Sequence, residues 1–79
     1  MSEALSRTLD QLPTGESAEI LALHLQGEAA VRLMEMGLFE GTRVTLLRRA
    51  PLGDPLELQV GDYRLSLRAV DAAQVELRP

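Results

Sequence analysis

Residues that could do chemistry are few in this sequence, and their spacing does not bring them together. His24 is the only histidine and cysteine is absent, which excludes thiolate metal sites and thiol catalysis. His24 could bind a divalent metal ion with a carboxylate such as Glu19 or Glu57, although a strong site needs three or four converging ligands. A single strand histidine is more often structural. The sequence therefore identifies no certain cofactor and leaves metal binding at His24 as an alternative.

Nothing in the sequence has the spacing of a catalytic site. Ser17, Thr45 and Ser66 have no base beside them in the sequence, and the carboxylates are scattered. A hydroxyl nucleophile needs a base within hydrogen-bond distance, and a domain this small rarely closes a pocket that excludes water. We therefore expect a protein without enzymatic activity.

The residues best suited to contact a partner lie in two places along the chain. One is the apolar pair that follows a predicted helix, because apolar side chains left exposed at a turn can form a contact patch. The other is a pair of arginines and the Pro-Gly-Asp-Pro corner after them, because exposed loops and arginine side chains are common in interfaces. The predicted partner-binding residues are Leu38, Phe39, Arg48, Arg49, Leu52 and Asp54.

The composition is that of one small soluble domain. Of the 79 residues, 46% are hydrophobic and 25% are charged, and a chain of this length buries roughly 60% of its unfolded surface around one core. No apolar run approaches the ~20 residues of a membrane-spanning helix, and the first residues lack a signal-peptide pattern. These features predict a single cytoplasmic domain over residues 1–79, with no direct membrane insertion.

Charge and aromatic content disfavour nucleic-acid binding. The net charge is -4, whereas nucleic-acid binding relies on positive charge. Tyr63 and Phe39 are the only aromatic residues, so a stacking platform for bases is missing. The charge is uneven, because residues 41–79 hold six arginines against five acids. That half could present a basic face to an acidic partner, although a solvated surface of mixed sign is the simpler interpretation.

Hydrophobic periodicity predicts a mainly β chain with one inserted helix. Apolar and polar residues alternate, as in half-buried strands, in residues 17–25, 42–49, 56–60, 63–69 and 74–78. Residues 28–36 have the 3.6-residue periodicity of a helix instead, and Gly37 is expected to end it in the left-handed conformation. A short helical turn is predicted over residues 4–12, a tight turn over residues 70–73, and an inward side chain for Tyr63. Short strands joined by tight turns predict a small closed barrel, because closure removes exposed strand edges.

Four motifs follow one another along the chain and together resemble a known family. Leu12, Pro13 and Gly15 precede the first strand; the later motifs are R-L-M-E-M-G-L-F-E-G (32–41), A-P-L-G-D-P (50–55) and L-R-A-V-D-A-A-Q-V (67–75). In this order and spacing, from about residue 12 to residue 77, the chain resembles the FeoA family of bacterial ferrous-iron uptake. The resemblance implies a small SH3-like β-barrel of about five strands, with one inserted short α-helix.

The function that the resemblance implies is that of an accessory or regulatory protein. It implies a non-enzymatic protein that binds the cytosolic part of a FeoB-type membrane transporter, which carries a GTP-binding domain. The alternative, a domain that binds a divalent transition metal, would in this setting respond to Fe²⁺ or a similar ion. The sequence leaves open a homo-oligomer formed through an edge strand.

Overall fold

The computed structural model describes residues 7–79, and within them the chain is mainly β, as predicted. In chain order the elements are a 3₁₀ turn (Leu9–Gln11), β1 (Ser17–Leu23), α1 (Gly27–Glu35), β2 (Arg43–Arg49), β3 (Leu56–Val60), β4 (Tyr63–Leu67), α2 (Ala69–Ala72) and β5 (Val75–Leu77). The helix inserted between the first two strands is confirmed. Part of the helical turn predicted over residues 4–12 lies outside the described residues, and the described part is the shorter 3₁₀ turn.

The strands form one antiparallel sheet in the order β4-β3-β2-β1-β5. β1 belongs to both halves of this sheet, because Ser17 to Glu19 pair with β2 whereas Ile20 to Leu23 pair with β5. The register shifts between Ile20 and Ala22, and an irregularity of this kind bends a strand and increases its twist. β1 therefore curves the sheet around a single core.

Hydrogen bonding does not run completely around this curved sheet. In residues 7–79 no ladder joins β4 to β5, and the chain passes from one to the other through α2. The prediction of a fully closed barrel is therefore wrong at one place, the seam between β4 and β5. As a result, β4 and β5 are both edge strands, and their outer backbone groups must be satisfied in another way.

The core is built from the inward-facing residues of all five strands together with the 3₁₀ turn, α1 and α2. β3 shows the alternation most clearly, since Leu56, Leu58 and Val60 are buried and the residues between them are only half-buried. No charged or polar residue of the described chain is buried. The buried residues are Leu9, Leu12, Ala18, Ile20, Leu33, Leu38, Val44, Leu46, Leu56, Leu58, Val60, Leu67, Ala72, Val75 and Leu77.

The end of α1 has the hydrogen bonds of a Schellman motif. The amide of Gly37 donates to the carbonyl of Met34 at 3.0 Å, and the amide of Leu38 donates to the carbonyl of Leu33 at 3.0 Å. Gly37 has φ +91°, which a side chain would make costly, so its predicted left-handed conformation is confirmed. Leu33 and Leu38 are both fully buried, and together they fix this end of the helix to the core.

Tyr63 does not point inward as the alternation in β4 predicts. Its side chain is 43% exposed, and its hydroxyl donates a hydrogen bond to the carbonyl of Met36. The hydroxyl also occupies the place where a side chain on Gly37 would begin. The inward prediction is wrong because Tyr63, at the first position of its strand, lies against the end of α1 instead of entering the core.

Candidate interaction surface

Residues 50–55 form a corner between β2 and β3 that is held by its own backbone. The amide of Ala50 donates to the carbonyl of Pro55 at 3.0 Å, and the amide of Gly53 donates to the carbonyl of Ala50 at 2.7 Å. Pro51 has a fixed φ, and Gly53 adopts φ +88°, which suits the end of such a turn. The corner is thus a defined structure and not a loose loop.

Asp54 and Leu52 have different surroundings within this corner. The Asp54 carboxylate accepts a 2.9 Å hydrogen bond from the amide of Ala69, at the start of α2, where helical amides lack intrahelical partners. This bond joins the corner to α2. Leu52 lies beyond it with its side chain 96% exposed, so an apolar side chain stands in solvent on a hydrogen-bonded support.

The two arginines before the corner differ in their contacts. Arg49 is half-buried, and its Nη2 donates to the carbonyls of Asp10 at 2.7 Å and Leu12 at 3.1 Å. Arg48 is exposed, and its Nε lies 3.9 Å from a carboxylate oxygen of Glu57. The guanidinium of Arg49 therefore fixes the N-terminal 3₁₀ turn to β2, whereas Arg48 is available to a partner.

Leu38 and Phe39, the apolar pair after α1, also have different environments. Leu38 is fully buried, so its expected place in a contact surface is wrong; as the second residue after the helix it packs into the core instead. Phe39 is 50% exposed and its carbonyl accepts a 2.9 Å hydrogen bond from the amide of Thr42. Phe39 is thus the member of the pair that a partner could reach.

The structure does not bring Phe39 and Leu52 together. Phe39 lies before the first residue of β2, and Leu52 lies after its last residue, so the strand from Arg43 to Arg49 separates them. At about 3.3 Å per residue this strand is about 20 Å long. The predicted contact residues therefore belong to two surfaces: a corner surface of Arg48, Leu52 and Asp54, and a separate one at Phe39.

Two apolar residues of α1 are exposed. Met34 is 44% exposed and Val31 is 49% exposed. On a helix these positions lie about 100° and 160° away from the buried Leu33, which is wider than one core-facing stripe. That angular width was a signal in the sequence, because an apolar arc this broad cannot all face one small core.

His24 lies beside a different carboxylate from those expected. Its Nε2 is 2.8 Å from Oε1 of Glu76, and its amide donates to the carbonyl of Gln74 at 2.8 Å. Glu19 pairs with Arg78 and Glu57 with Arg48 instead, so the predicted pairing of His24 with Glu19 or Glu57 is wrong. The reason is that β1 changes its partner strand along its length, so that His24 lies next to β5.

The described part of the chain has no larger group of metal-binding side chains. Across residues 7–79 no three histidine, cysteine or acidic side chains come close enough together to hold a metal ion. No helix in this range combines the length and the apolar character required to cross a bilayer.

Comparison with known proteins identifies one family. The model of the FeoA domain matches residues 7–79. A Porphyromonas gingivalis protein named as a fusion of Fe(2+) transport protein A and the Fe(2+) transporter FeoB is 39% identical over 69 residues, which make up 87% of this chain and 8% of that protein. The chain therefore spans only a small part of this curated relative.

Solved structures share the same fold. Iron(II) transport protein A from Clostridium thermocellum superposes with a TM-score of 0.86 at 32% identity, over 90% of this chain and 44% of that one. FeoA from Stenotrophomonas maltophilia, solved with zinc and named as a prokaryotic SH3 domain protein, has a TM-score of 0.77 at 35% identity over 90% of this chain and 88% of that one. The SH3-like fold expected from the sequence is confirmed.

Proposed function

This chain belongs to the FeoA family, and on that premise we propose that it is a non-enzymatic accessory protein of ferrous-iron uptake. It acts in the cytoplasm by binding the cytosolic part of a FeoB-type transporter. Support comes from the P. gingivalis relative, in which the two proteins are joined as a fusion. Linking two chains raises their effective concentration for each other, and such a fusion is favourable when the separate domains function together.

The observation that carries this proposal is the exposure of Leu52 on a corner with its own hydrogen bonds. Full burial of a leucine side chain contributes about 1.5–3 kcal/mol, and Leu52 is 96% exposed in the isolated domain. Because the corner is already ordered, little conformational entropy is lost when it binds. Arg48 and Asp54 lie on either side of Leu52 along the chain, and in a complex they would supply the polar rim typical of protein interfaces.

The test is binding of the Leu52→Glu variant to the soluble GTP-binding domain of a FeoB-type transporter. We expect the wild-type domain to bind and the variant to lose at least tenfold in affinity, because a charge replaces the apolar contact at the centre of the surface. Calorimetry measures the affinity. Far-ultraviolet circular dichroism should not change, since the substituted side chain makes no contribution to the core.

The matched control places the same charge elsewhere. Thr14 is exposed in the turn before β1, outside both contact surfaces, and Thr14→Glu should bind like the wild type. Equal binding by all three proteins would remove the corner surface from the proposal. No binding by the wild type would instead reject the GTP-binding domain as the partner.

A second candidate function is binding of a divalent metal ion, and the zinc complex of the S. maltophilia relative favours it. His24 and Glu76 converge within 2.8 Å and fit such an ion, since an imidazole nitrogen and a carboxylate oxygen are both zinc ligands. These two side chains supply part of a ligand set of three or four. The remainder would come from water or from a partner.

Titration with zinc tests this second function directly. If His24 binds the ion, the wild-type domain should bind with a defined stoichiometry and His24→Ala should not. His24→Gln is the useful companion variant, because it retains a polar side chain without an imidazole nitrogen. Binding that survives both substitutions would exclude His24 as a ligand.

A further inference from the structure

β4 exposes one full side of its backbone at the seam of the sheet. It is the last strand of the sheet order, and among residues 7–79 it pairs only with β3. The hairpin between them has a two-residue turn, Gly61 and Asp62, and its closing pair is Val60 with Tyr63. In a hairpin with this turn the closing pair is hydrogen-bonded, and hydrogen-bonded pairs alternate with non-bonded pairs along the ladder.

This alternation identifies the backbone groups that face outward. Tyr63, Leu65 and Leu67 direct their amides and carbonyls toward β3, so those of Arg64 and Ser66 point away from the sheet. Within residues 7–79 no side chain or loop hydrogen-bonds to these outward groups. Both residues are exposed. Two donors and two acceptors are thus presented in a row at strand spacing.

The side chains along this edge are basic on one face. Arg64, Ser66 and Arg68 alternate with the core residues of the strand, so they share the outer face of the sheet. All three are exposed, and the ion pairs of the described chain involve neither Arg64 nor Arg68. Within residues 7–79 neither arginine therefore has an ion-pair partner, and Glu57, which lies opposite Ser66 on the same face, pairs with Arg48.

We propose that this edge binds an extended acidic segment of a partner protein as an added β-strand. The main chain of the segment would hydrogen-bond to Arg64 and Ser66, as in other cases of strand addition to an open sheet edge. Carboxylates at alternate positions would face Arg64 and Arg68, which are about 13 Å apart along the strand. This goes beyond the proposed function, because neither the corner surface nor the identity of the transporter enters it.

A second copy of this chain suits the edge less well than an acidic segment does. Two β4 strands paired antiparallel about Ser66 would place Arg64 of each copy opposite Arg68 of the other. Like charges directly opposite across a ladder are destabilising. In that register the arginines that repel another β4 strand attract a strand with carboxylates, and this difference favours the acidic segment.

The probe is a short synthetic peptide in which glutamate alternates with threonine, added to the isotope-labelled domain. We expect chemical-shift changes confined to β4 and its neighbours and slower exchange of the Arg64 and Ser66 amides. Two control peptides separate strand addition from charge attraction. One has lysine in place of glutamate and should not bind. The other keeps the glutamates but carries N-methyl groups at alternate backbone amides, and it should bind at least tenfold more weakly.

Two variants of the domain test the same edge by changing the domain instead of the peptide. Arg64→Gln with Arg68→Gln should weaken binding about tenfold, because two exposed ion pairs are lost. Ser66→Pro removes an outward amide while leaving the β3 ladder intact, since proline is tolerated where the amide faces away from the sheet. It should block binding, and dispersed amide spectra would verify that it folds.

The outcomes decide between the occupants. Loss of binding with the N-methylated peptide and with Ser66→Pro supports strand addition. Equal binding by the N-methylated peptide overturns it and leaves charge attraction only. Shifts centred outside β4 also overturn it, and so does a domain that sediments as a dimer broken by Ser66→Pro, because a second copy would then occupy the edge.

Discussion

The edge strands β4 and β5 each have one side of the backbone without a partner in the sheet, and the two edges are protected in different ways. On the outside of β5, the amide of Leu77 donates to the carbonyl of Arg7 at 2.8 Å, and Thr8 pairs with Glu76. On the outside of β4, no described segment forms such bonds. β5 is a covered edge, whereas β4 is an open edge.

The difference teaches that an edge can be protected by backbone pairing or by charge. The segment over β5 is held by apolar packing, since Leu9 and Leu12 are fully buried. β4 instead carries Arg64 and Arg68, and charged side chains on an edge discourage uncontrolled pairing. Covering satisfies the backbone permanently, while charge leaves it free for a strand of opposite charge.

Amide hydrogen exchange should show the largest contrast between these edges. The amides of Arg64 and Ser66 should exchange almost without protection, because they face solvent. The amides of Leu65 and Leu77 should exchange at least on the order of 10³-fold more slowly, since their hydrogen bonds must open first. Leu65 is the internal control, because it lies between the two fast residues in the same strand. Comparable protection of all four amides would mean that β4 is covered in solution.

Truncation of Leu9 should remove the cover from β5 at a large cost in stability. Leu9→Ala deletes a fully buried side chain, and such changes lower the free energy of unfolding by about 2–5 kcal/mol. Urea denaturation measures the loss. Leu52→Ala is the control, because its side chain is 96% exposed and its effect should stay within about 0.5 kcal/mol. Similar losses for both variants would contradict a cover held by apolar packing.

Substitution of the two adjacent arginines should produce a smaller difference of the same kind. Arg49→Met removes both hydrogen bonds from the guanidinium to the 3₁₀ turn, and we expect a loss of about 1–3 kcal/mol in the free energy of unfolding. Arg48→Met should change it by less than about 0.5 kcal/mol, since its ion pair is exposed and long. If the two variants were equally stable, Arg49 would have no part in holding the cover.

Much of this fold could be predicted from periodicity and turn residues. Leu56, Leu58 and Val60 alternate with polar residues because one face of β3 meets the core, and they are buried as predicted. Gly37 marks the helix end because a left-handed residue is needed there. Signals of this type are local, since each depends on a few neighbouring residues.

The errors concern contacts between residues distant in sequence. The pairing of His24 with Glu76 depends on a change of partner in the middle of β1, and no local pattern specifies it. Tyr63 reaches the Met36 carbonyl across the end of α1, which alternation within β4 could not reveal. In the candidate surface the prediction was wrong at Leu38, because the exposure of a side chain depends on how the whole chain packs.

The bond between Arg7 and Leu77 also constrains the order in which the domain folds. The β3–β4 hairpin closes through a two-residue turn and needs only local contacts, which form quickly. The cover on β5 joins the two ends of the described chain, so it cannot form on a ribosome until nearly the whole domain has been synthesised and released from the exit tunnel. During synthesis the strand that ends covered is therefore the last to be protected, and β4 can already be paired with β3 before that cover forms.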